Sequence, residues 1–264
     1  WEGAVPEDFI HHNNSSPEDI ILQQQAGCID YVDQEFAIVY SLLEPLLPIT
    51  TKKYTYTAIP TLYTLLDTTS MEASGIIQTF EQPTLNLRGE GTMIGFIDTG
   101  IDYRNPLFRL PDGSSRILGI WDQTLPAPIG TMDAPFGIPA AVPAMSFSYG
   151  QEFLKPQIDE ALRSPDPLSI VPSTDTSGHG TFMAGIAAGG ATANEDFTGA
   201  APKCSIGVVK LKPAKQYLRD FYLLPEDAIA YQENDIMMGI KYLELLALRQ
   251  SLPLVIYIGL GTNY

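Results

Sequence analysis

An aspartate and a histidine have the types and settings of a general base and the carboxylate that orients it. His179 lies in Ser-Gly-His-Gly-Thr at 177–181, directly before a run of small and apolar residues that predicts a tightly packed helix. Asp98 follows the apolar run 93–97, which predicts a buried strand of a parallel sheet. Because reacting groups gather at the carboxyl edge of such sheets, we expect Asp98 to lie there, within hydrogen-bonding reach of His179.

Such a pair performs a defined step of acid-base chemistry. The carboxylate accepts a hydrogen bond from one ring nitrogen and stabilises the imidazolium that forms when the other nitrogen takes a proton. The positive end of the helix dipole at His179 disfavours the charged ring, so we expect a neutral base near pH 7. For nucleophilic catalysis, the site also needs a nucleophile whose proton this base removes.

Alternating strands and helices position these residues. After His179, the pattern predicts a strand at 205–211, a helix that begins near Glu226 or Asp235 and ends at Gln250, and a strand at 254–258. Such alternation favours a parallel sheet with right-handed crossovers.

The segment between the two chemical residues has a different composition. Residues 109–175 are rich in proline, glycine and serine, which indicates an insertion with one β element at 117–121 and a short helix at 157–163. Nearer the N-terminus, the patterns predict a helix at 18–25 and strands at 35–40 and 53–59.

Several motifs carry a family resemblance. Phe-Ile-Asp-Thr-Gly-Ile-Asp at 96–102 resembles the catalytic-Asp motif of the subtilisin-like serine proteases (subtilases, peptidase S8), and Gly-His-Gly-Thr at 178–181 resembles their catalytic-His motif. The order of aspartate before histidine along the chain is that of subtilisin. Gly-Ala-Ala-Pro at 199–202 and the strand before Gly259 are similar to further segments of the family, and the matched motifs together span roughly residues 90–262.

The resemblance implies a fold and a domain organisation. We expect an α/β fold with a subtilisin-like parallel sheet flanked by helices, incomplete in this chain, and a small α+β N-terminal domain like a propeptide. The expected division is a polar lead-in at 1–17, a propeptide-like domain at 18–70 and the N-terminal portion of a catalytic domain at 71–264, with the insertion at 109–175.

The resemblance also implies a function. The chain is expected to be part of a serine endopeptidase, with Asp98 and His179 as catalytic residues and Gly259, Leu260 and Gly261 as substrate-binding residues. No Gly-Thr-Ser-like motif occurs in the 264 residues, and the chain begins with Trp1, so we expect a fragment whose nucleophilic serine lies beyond Tyr264. Such a fragment should not hydrolyse peptides by the triad route.

Within the family, the Csp-type germination-specific proteases of spore-forming anaerobes are most similar. This resemblance is carried by residues 54–60, 65–67, 72–76 and 116–124. It implies a protein or peptide substrate, the chain's own propeptide as a partner and an extracytoplasmic or spore-associated location. It also leaves open an alternative, because some Csp-type members have degenerate triads and act as binding or signalling pseudoproteases.

A third function class shares one motif. An apolar pair before Asp-Thr-Gly also marks aspartic proteases, which need two facing carboxylates. The sequence contains this motif once, at Asp98, so the alternative requires a homodimer and gives Gly-His-Gly-Thr no role.

Composition excludes some partners and the motifs predict no cofactor. The net charge of −16 argues against binding to nucleic acid or to an anionic membrane, and no apolar stretch reaches the ~18 residues that span a bilayer. His11 and His12 are expected in a solvated tail rather than a metal site. Leu107 stands where several subtilases supply an aspartate to a structural calcium ion, so we expect no metal there.

Overall fold

The chain forms two compact units. The computed structural model describes residues 7–12, 26–41, 49–51, 54–65, 87–127, 147–190 and 198–261. The first unit comprises Trp1–Thr64, Lys212–Lys241 and Thr262–Tyr264, and the second comprises Leu65–Leu211 and Tyr242–Gly261. The expected boundaries at residues 17 and 70 stay a prediction.

The first unit begins with an antiparallel sheet. Its strands are β1 (Glu7–His12), β2 (Ala26–Tyr31) and β3 (Phe36–Ser41), in the order β1-β3-β2. A 3₁₀ helix (Tyr56–Ala58) and strand β4 (Leu62–Leu65) follow. The predicted strand at 35–40 is therefore confirmed, while the predicted helix at 18–25 lies outside the described residues.

Two expectations for this unit are wrong. Residues 54–59 form a 3₁₀ turn instead of a strand, because the Ala58 and Ile59 amides bond to Thr55 and Tyr56 and the buried Tyr54 ring stacks on Phe9 at 4.5 Å. Tertiary packing here outweighs the β propensity of threonine and tyrosine. The second wrong expectation is that residues 1–17 are a solvated tail.

The lead-in at 1–17 is not a loose tail throughout, because residues 7–12 are strand β1. Phe9, Ile10 and His11 are buried, and His12 contacts the Phe36 ring edge-on at 4.7 Å.

The second unit carries the predicted strands and helices. From residue 93 onward, the strands and α-helices in chain order are β5 (Met93–Asp98), β6 (Ile117–Asp122), β7 (Gln151–Leu154), α1 (Lys155–Arg163), α2 (His179–Ala188), β8 (Ser205–Lys210), α3 (Gln216–Phe221), β9 (Tyr231–Gln232), α4 (Glu233–Gln250), β10 (Leu254–Ile258) and β11 (Leu260–Gly261). Of these, α3 and β9 belong to the first unit, and α4 runs from the first unit into the second. Strand β9 pairs with β4 in antiparallel fashion.

The sheet of the second unit has the order β10-β5-β8-β6-β7, and all its strands are parallel except β7. The register pairs Asp98 with Lys210 and Lys210 with Asp122, so three charged residues end neighbouring strands at the carboxyl edge. Helix α2 packs against β5, and Leu243 of α4 lies against Gly95 of β5 and Gly207 of β8. The predicted α/β fold with a parallel sheet flanked by helices is confirmed.

No helix among the described residues has both the length and the apolar character needed to cross a bilayer. Within the same ranges, histidine, cysteine, aspartate and glutamate side chains form no group of three that could hold a metal ion.

Candidate active site

Asp98 is the last residue of β5 and its side chain is fully buried. Its Oδ1 accepts a hydrogen bond of 2.7 Å from the Thr99 amide, whereas its Oδ2 is buried with no hydrogen-bond partner among the described residues. Burial raises the pKa of Asp98 above its ordinary value, against the opposing effect of hydrogen bonds from His179 and Thr99. The site therefore contains a carboxylate whose charge is poorly solvated.

His179 is the first residue of helix α2, and its Nδ1 lies 2.8 Å from Asp98 Oδ1. This is the contact predicted from the sequence. When Nδ1–H donates to the carboxylate, Nε2 is the ring atom that accepts a proton. The arrangement thus has the geometry of a histidine base oriented by a buried carboxylate.

Helix α2 begins at His179 because the groups around it satisfy its first amides. Gly178 adopts a left-handed conformation with φ of +79°, which a residue with a side chain rarely does. The Asp175 carboxylate accepts from the amides of Gly178 and Thr181 at 2.9 and 2.8 Å, and Thr99 Oγ1 accepts from the Gly180 amide at 2.9 Å. These bonds replace the side-chain cap that a glycine cannot supply.

Close packing explains why a glycine, Gly180, follows His179. A Cβ at this position would lie 2.2 Å from the carbonyl oxygen of Gly100 and 3.2 Å from Asp98 Cβ. The absence of a side chain lets the helix approach the turn after β5 closely enough for the His179 contact.

Two functional candidates were missed by sequence reasoning. Asp175 is one, and a carboxylate four residues before a histidine at a predicted helix start was the available signal. The other is the buried Asp122, whose Oδ2 accepts from Ser173 Oγ at 2.7 Å and lies 3.3 Å from Lys210 Nζ. Its position after an apolar strand, like that of Asp98, could have identified it.

The predicted substrate residues follow β10. A Cβ on Gly259 would lie 2.6 Å from Asp98 Oδ2 and 2.9 Å from the Tyr257 ring, so a glycine at 259 leaves the carboxylate undisturbed. Leu260 is buried and forms the short strand β11 with Gly261. The structure therefore places Gly259 beside Asp98, while the binding of substrate by residues 259–261 stays a prediction.

Cys204 is a buried free thiol. Burial raises its pKa to about 11, with Arg116 opposing the shift. A thiol of this kind is protonated at neutral pH and is not a nucleophile.

Comparison with known proteins identifies the family. Residues 89–224 match the profile of the subtilase family, peptidase S8. The structure of the CspB protease of Clostridium perfringens is 34% identical with a TM-score of 0.53, and the match covers 73% of this chain and 33% of that one. The chain thus spans about a third of that protein's length, and no curated protein matches it significantly. With the Asp98 and His179 motifs inside the matched range, these findings confirm the resemblance to Csp-type proteases, and the chain belongs to the subtilase family.

Proposed function

We propose that this chain carries the Asp–His part of the catalytic site of a serine endopeptidase. The observation that supports the proposal most directly is the 2.8 Å contact between Asp98 Oδ1 and His179 Nδ1 at the carboxyl edge of the sheet. Membership of the subtilase family supplies the reaction class.

In the proposed mechanism, His179 Nε2 accepts the proton of a serine hydroxyl as the oxygen attacks the peptide carbonyl carbon. Asp98 stabilises the imidazolium, which then donates the proton to the leaving amine. Water hydrolyses the acyl-enzyme with His179 again acting as base. The serine is proposed to lie outside residues 1–264, since these contain no Gly-Thr-Ser-like motif.

The proposal extends to substrate and partners. An extended protein or peptide segment would pair with the backbone of Gly259, Leu260 and Gly261 by strand addition. Residues 18–70 would act as a propeptide. The resemblance of the sequence motifs to the Csp-type germination-specific proteases would imply a role in spore germination and an extracytoplasmic or spore-associated location.

A Csp-type pseudoprotease is the alternative function. In that case the Asp98–His179 pair would be a structural remnant, and binding rather than hydrolysis would be the activity. The contact between these two residues supports the protease instead, because a degenerate site has no need of an oriented base.

A serine-directed fluorophosphonate probe tests the proposal in the longer protein that includes the serine. The wild type is expected to label and His179→Ala to lose nearly all labelling, since loss of one triad member lowers kcat by about 10⁴ to 10⁶. His12→Ala, which removes an exposed histidine of the first unit, is the control and should label normally.

Residues 1–264 alone are expected to give no labelling. A folded, propeptide-free wild type that never labels would favour the pseudoprotease. Labelling that persists at full rate in His179→Ala would show that another group activates the nucleophile.

A further inference from the structure

The half-buried Asp175 side chain ties the two motifs of the candidate site together. Its Oδ1 accepts hydrogen bonds from Thr99 Oγ1 and the Gly178 amide at 2.8 and 2.9 Å. Its Oδ2 accepts from the Thr181 amide and from Thr181 Oγ1 at 2.8 and 2.6 Å. Thr99 directly follows Asp98, and Thr181 lies in the first turn of the His179 helix, so one carboxylate contacts both sides of the pair.

The direction of each hydrogen bond follows from the chemistry of the carboxylate. An ionised carboxylate only accepts, so both threonine hydroxyls donate to Asp175. Each hydroxyl oxygen is then left to accept an amide hydrogen from the opposite motif. Thr99 Oγ1 accepts from Gly180 in the helix at 2.9 Å, and Thr181 Oγ1 accepts from Asp102 in the turn after β5 at 2.8 Å.

The charge state of Asp175 suits this arrangement. Burial raises the pKa of the carboxyl, but hydrogen bonds from Thr181, Thr99 and Gly178 outweigh it and hold the pKa below its ordinary value. Asp175 is therefore ionised at neutral pH, and its negative charge lies at the favourable end of the α2 dipole.

We propose that Asp175 is a positioning residue, which places the His179 imidazole against Asp98 by holding Thr99 and Thr181 in one hydrogen-bonded clasp. The contacts of Asp175 with Thr99, Gly178 and Thr181 support this positioning role. Its consequence for peptide hydrolysis rests on the proposed function. An amide at this position would turn one acceptor into a donor, which faces threonine hydroxyls and backbone amides that also donate.

The geometric test uses nuclear magnetic resonance of the 264-residue chain labelled with ¹⁵N-histidine. The chain has three histidines, of which His11 and His12 lie in the first unit and report its fold, while fluorescence of the buried Trp121 reports the fold of the second unit. In the wild type, the Nδ1–H proton shared between His179 and Asp98 should give a downfield signal. Asp175→Asn is expected to abolish or greatly weaken this signal and to leave the other two histidines unchanged.

The matched control is Asp166→Asn, the same substitution at an exposed carboxylate in the preceding loop, and it should retain the signal. An unchanged His179 signal in Asp175→Asn would overturn the proposal. If Asp175→Asn unfolds the chain, the His179 signal is compared between Thr99→Ser, which keeps the hydroxyl that donates to Asp175, and Thr99→Val, which removes it. Retention in the serine variant with loss in the valine variant supports the clasp, and identical signals from the two refute it.

The kinetic test uses the longer protein with its serine. Asp175→Asn is expected to lower kcat by about 10- to 100-fold with little change in KM, because displacement of the base by about 1 Å costs about 10²-fold. Equal losses in Asp175→Asn and Asp166→Asn would contradict the proposal. If the wild type itself shows no activity, the proposed function fails while the His179 signal still tests the clasp.

Discussion

Helix α2 contains two glycines for which the same substitution should have opposite effects. At Gly180, an added Cβ would lie 2.2 Å from the Gly100 carbonyl oxygen, whereas at Gly185 the nearest atom is Leu107 Cδ1 at 3.9 Å. Gly185→Ala should therefore stabilise the chain by up to about 1 kcal/mol, the difference in helix propensity between glycine and alanine.

Gly180→Ala gains no more than the same propensity, and the overlap must be relieved by a shift of about 1 Å between helix and turn. Such overpacking typically costs about 1–3 kcal/mol, and the upper end applies because the opposing atoms belong to the backbone. We expect a net loss of about 1–2 kcal/mol, or a fall in Tm of roughly 2–8 °C for a domain of this size.

Urea unfolding followed by tryptophan fluorescence measures both variants, since Trp121 is buried in the second unit. The His179 proton signal should weaken in Gly180→Ala and persist in Gly185→Ala. Equal stabilisation by the two alanines, or an intact His179 signal in Gly180→Ala, would refute the close approach as the reason for the glycine.

Two further predictions concern buried carboxylates. Because burial raises the pKa of Asp98, folding with this group ionised costs free energy above that pKa. Asp98→Asn should therefore be more stable than wild type at pH 7 in urea titrations, and the gain should disappear as the pH falls towards the ordinary value of 3.8; a gain independent of pH would contradict this. Burial is the largest single influence on the pKa of Asp8 and raises it, but the charges of Lys215 and Lys212 and the hydrogen bonds from Lys215 and Asn234 together outweigh burial and lower the pKa. Asp8 Oδ1 lies 2.7 Å from Lys215 Nζ. Asp8→Asn should cost about 3 kcal/mol at pH 7, less as acid protonates the wild-type group, whereas the exposed Asp112→Asn should change little; equal thermal shifts in both variants would rule out the buried pair as the cause.

The sequence predicted the Asp98–His179 contact because both residues adjoin elements with strong patterns. An apolar run ends at Asp98, and a run of small residues begins after His179, so the topology of a parallel sheet sufficed to bring them together. The strands at β5, β8 and β10 were predictable for the same reason, since continuous apolar runs bounded by polar residues are typical of buried parallel strands.

The clasp could not be predicted in this way. Asp175 lies in a segment without periodicity, and its partner Thr99 is 76 positions away. A local pattern contains no information about which hydroxyl a carboxylate will meet across that distance. The same limit applies to Tyr54, whose burial depends on packing against Phe9 rather than on the residues next to it.

The first unit is discontinuous in the chain, and this has a consequence for its synthesis. Asp8 Oδ2 accepts from Gln232 Nε2 at 2.9 Å, across a separation of 224 positions, and from Asn234 Nδ2 at 2.6 Å. At ~5–20 residues per second, Asp8 is synthesised roughly 11–45 seconds before these partners are. For most of that interval Lys212 and Lys215, whose charges neutralise the Asp8 carboxylate, have not been made either, so β1 cannot reach its native burial until synthesis has passed residue 234. Strand β1 is thus made before the rest of the first unit and is among the last of its elements to be completed.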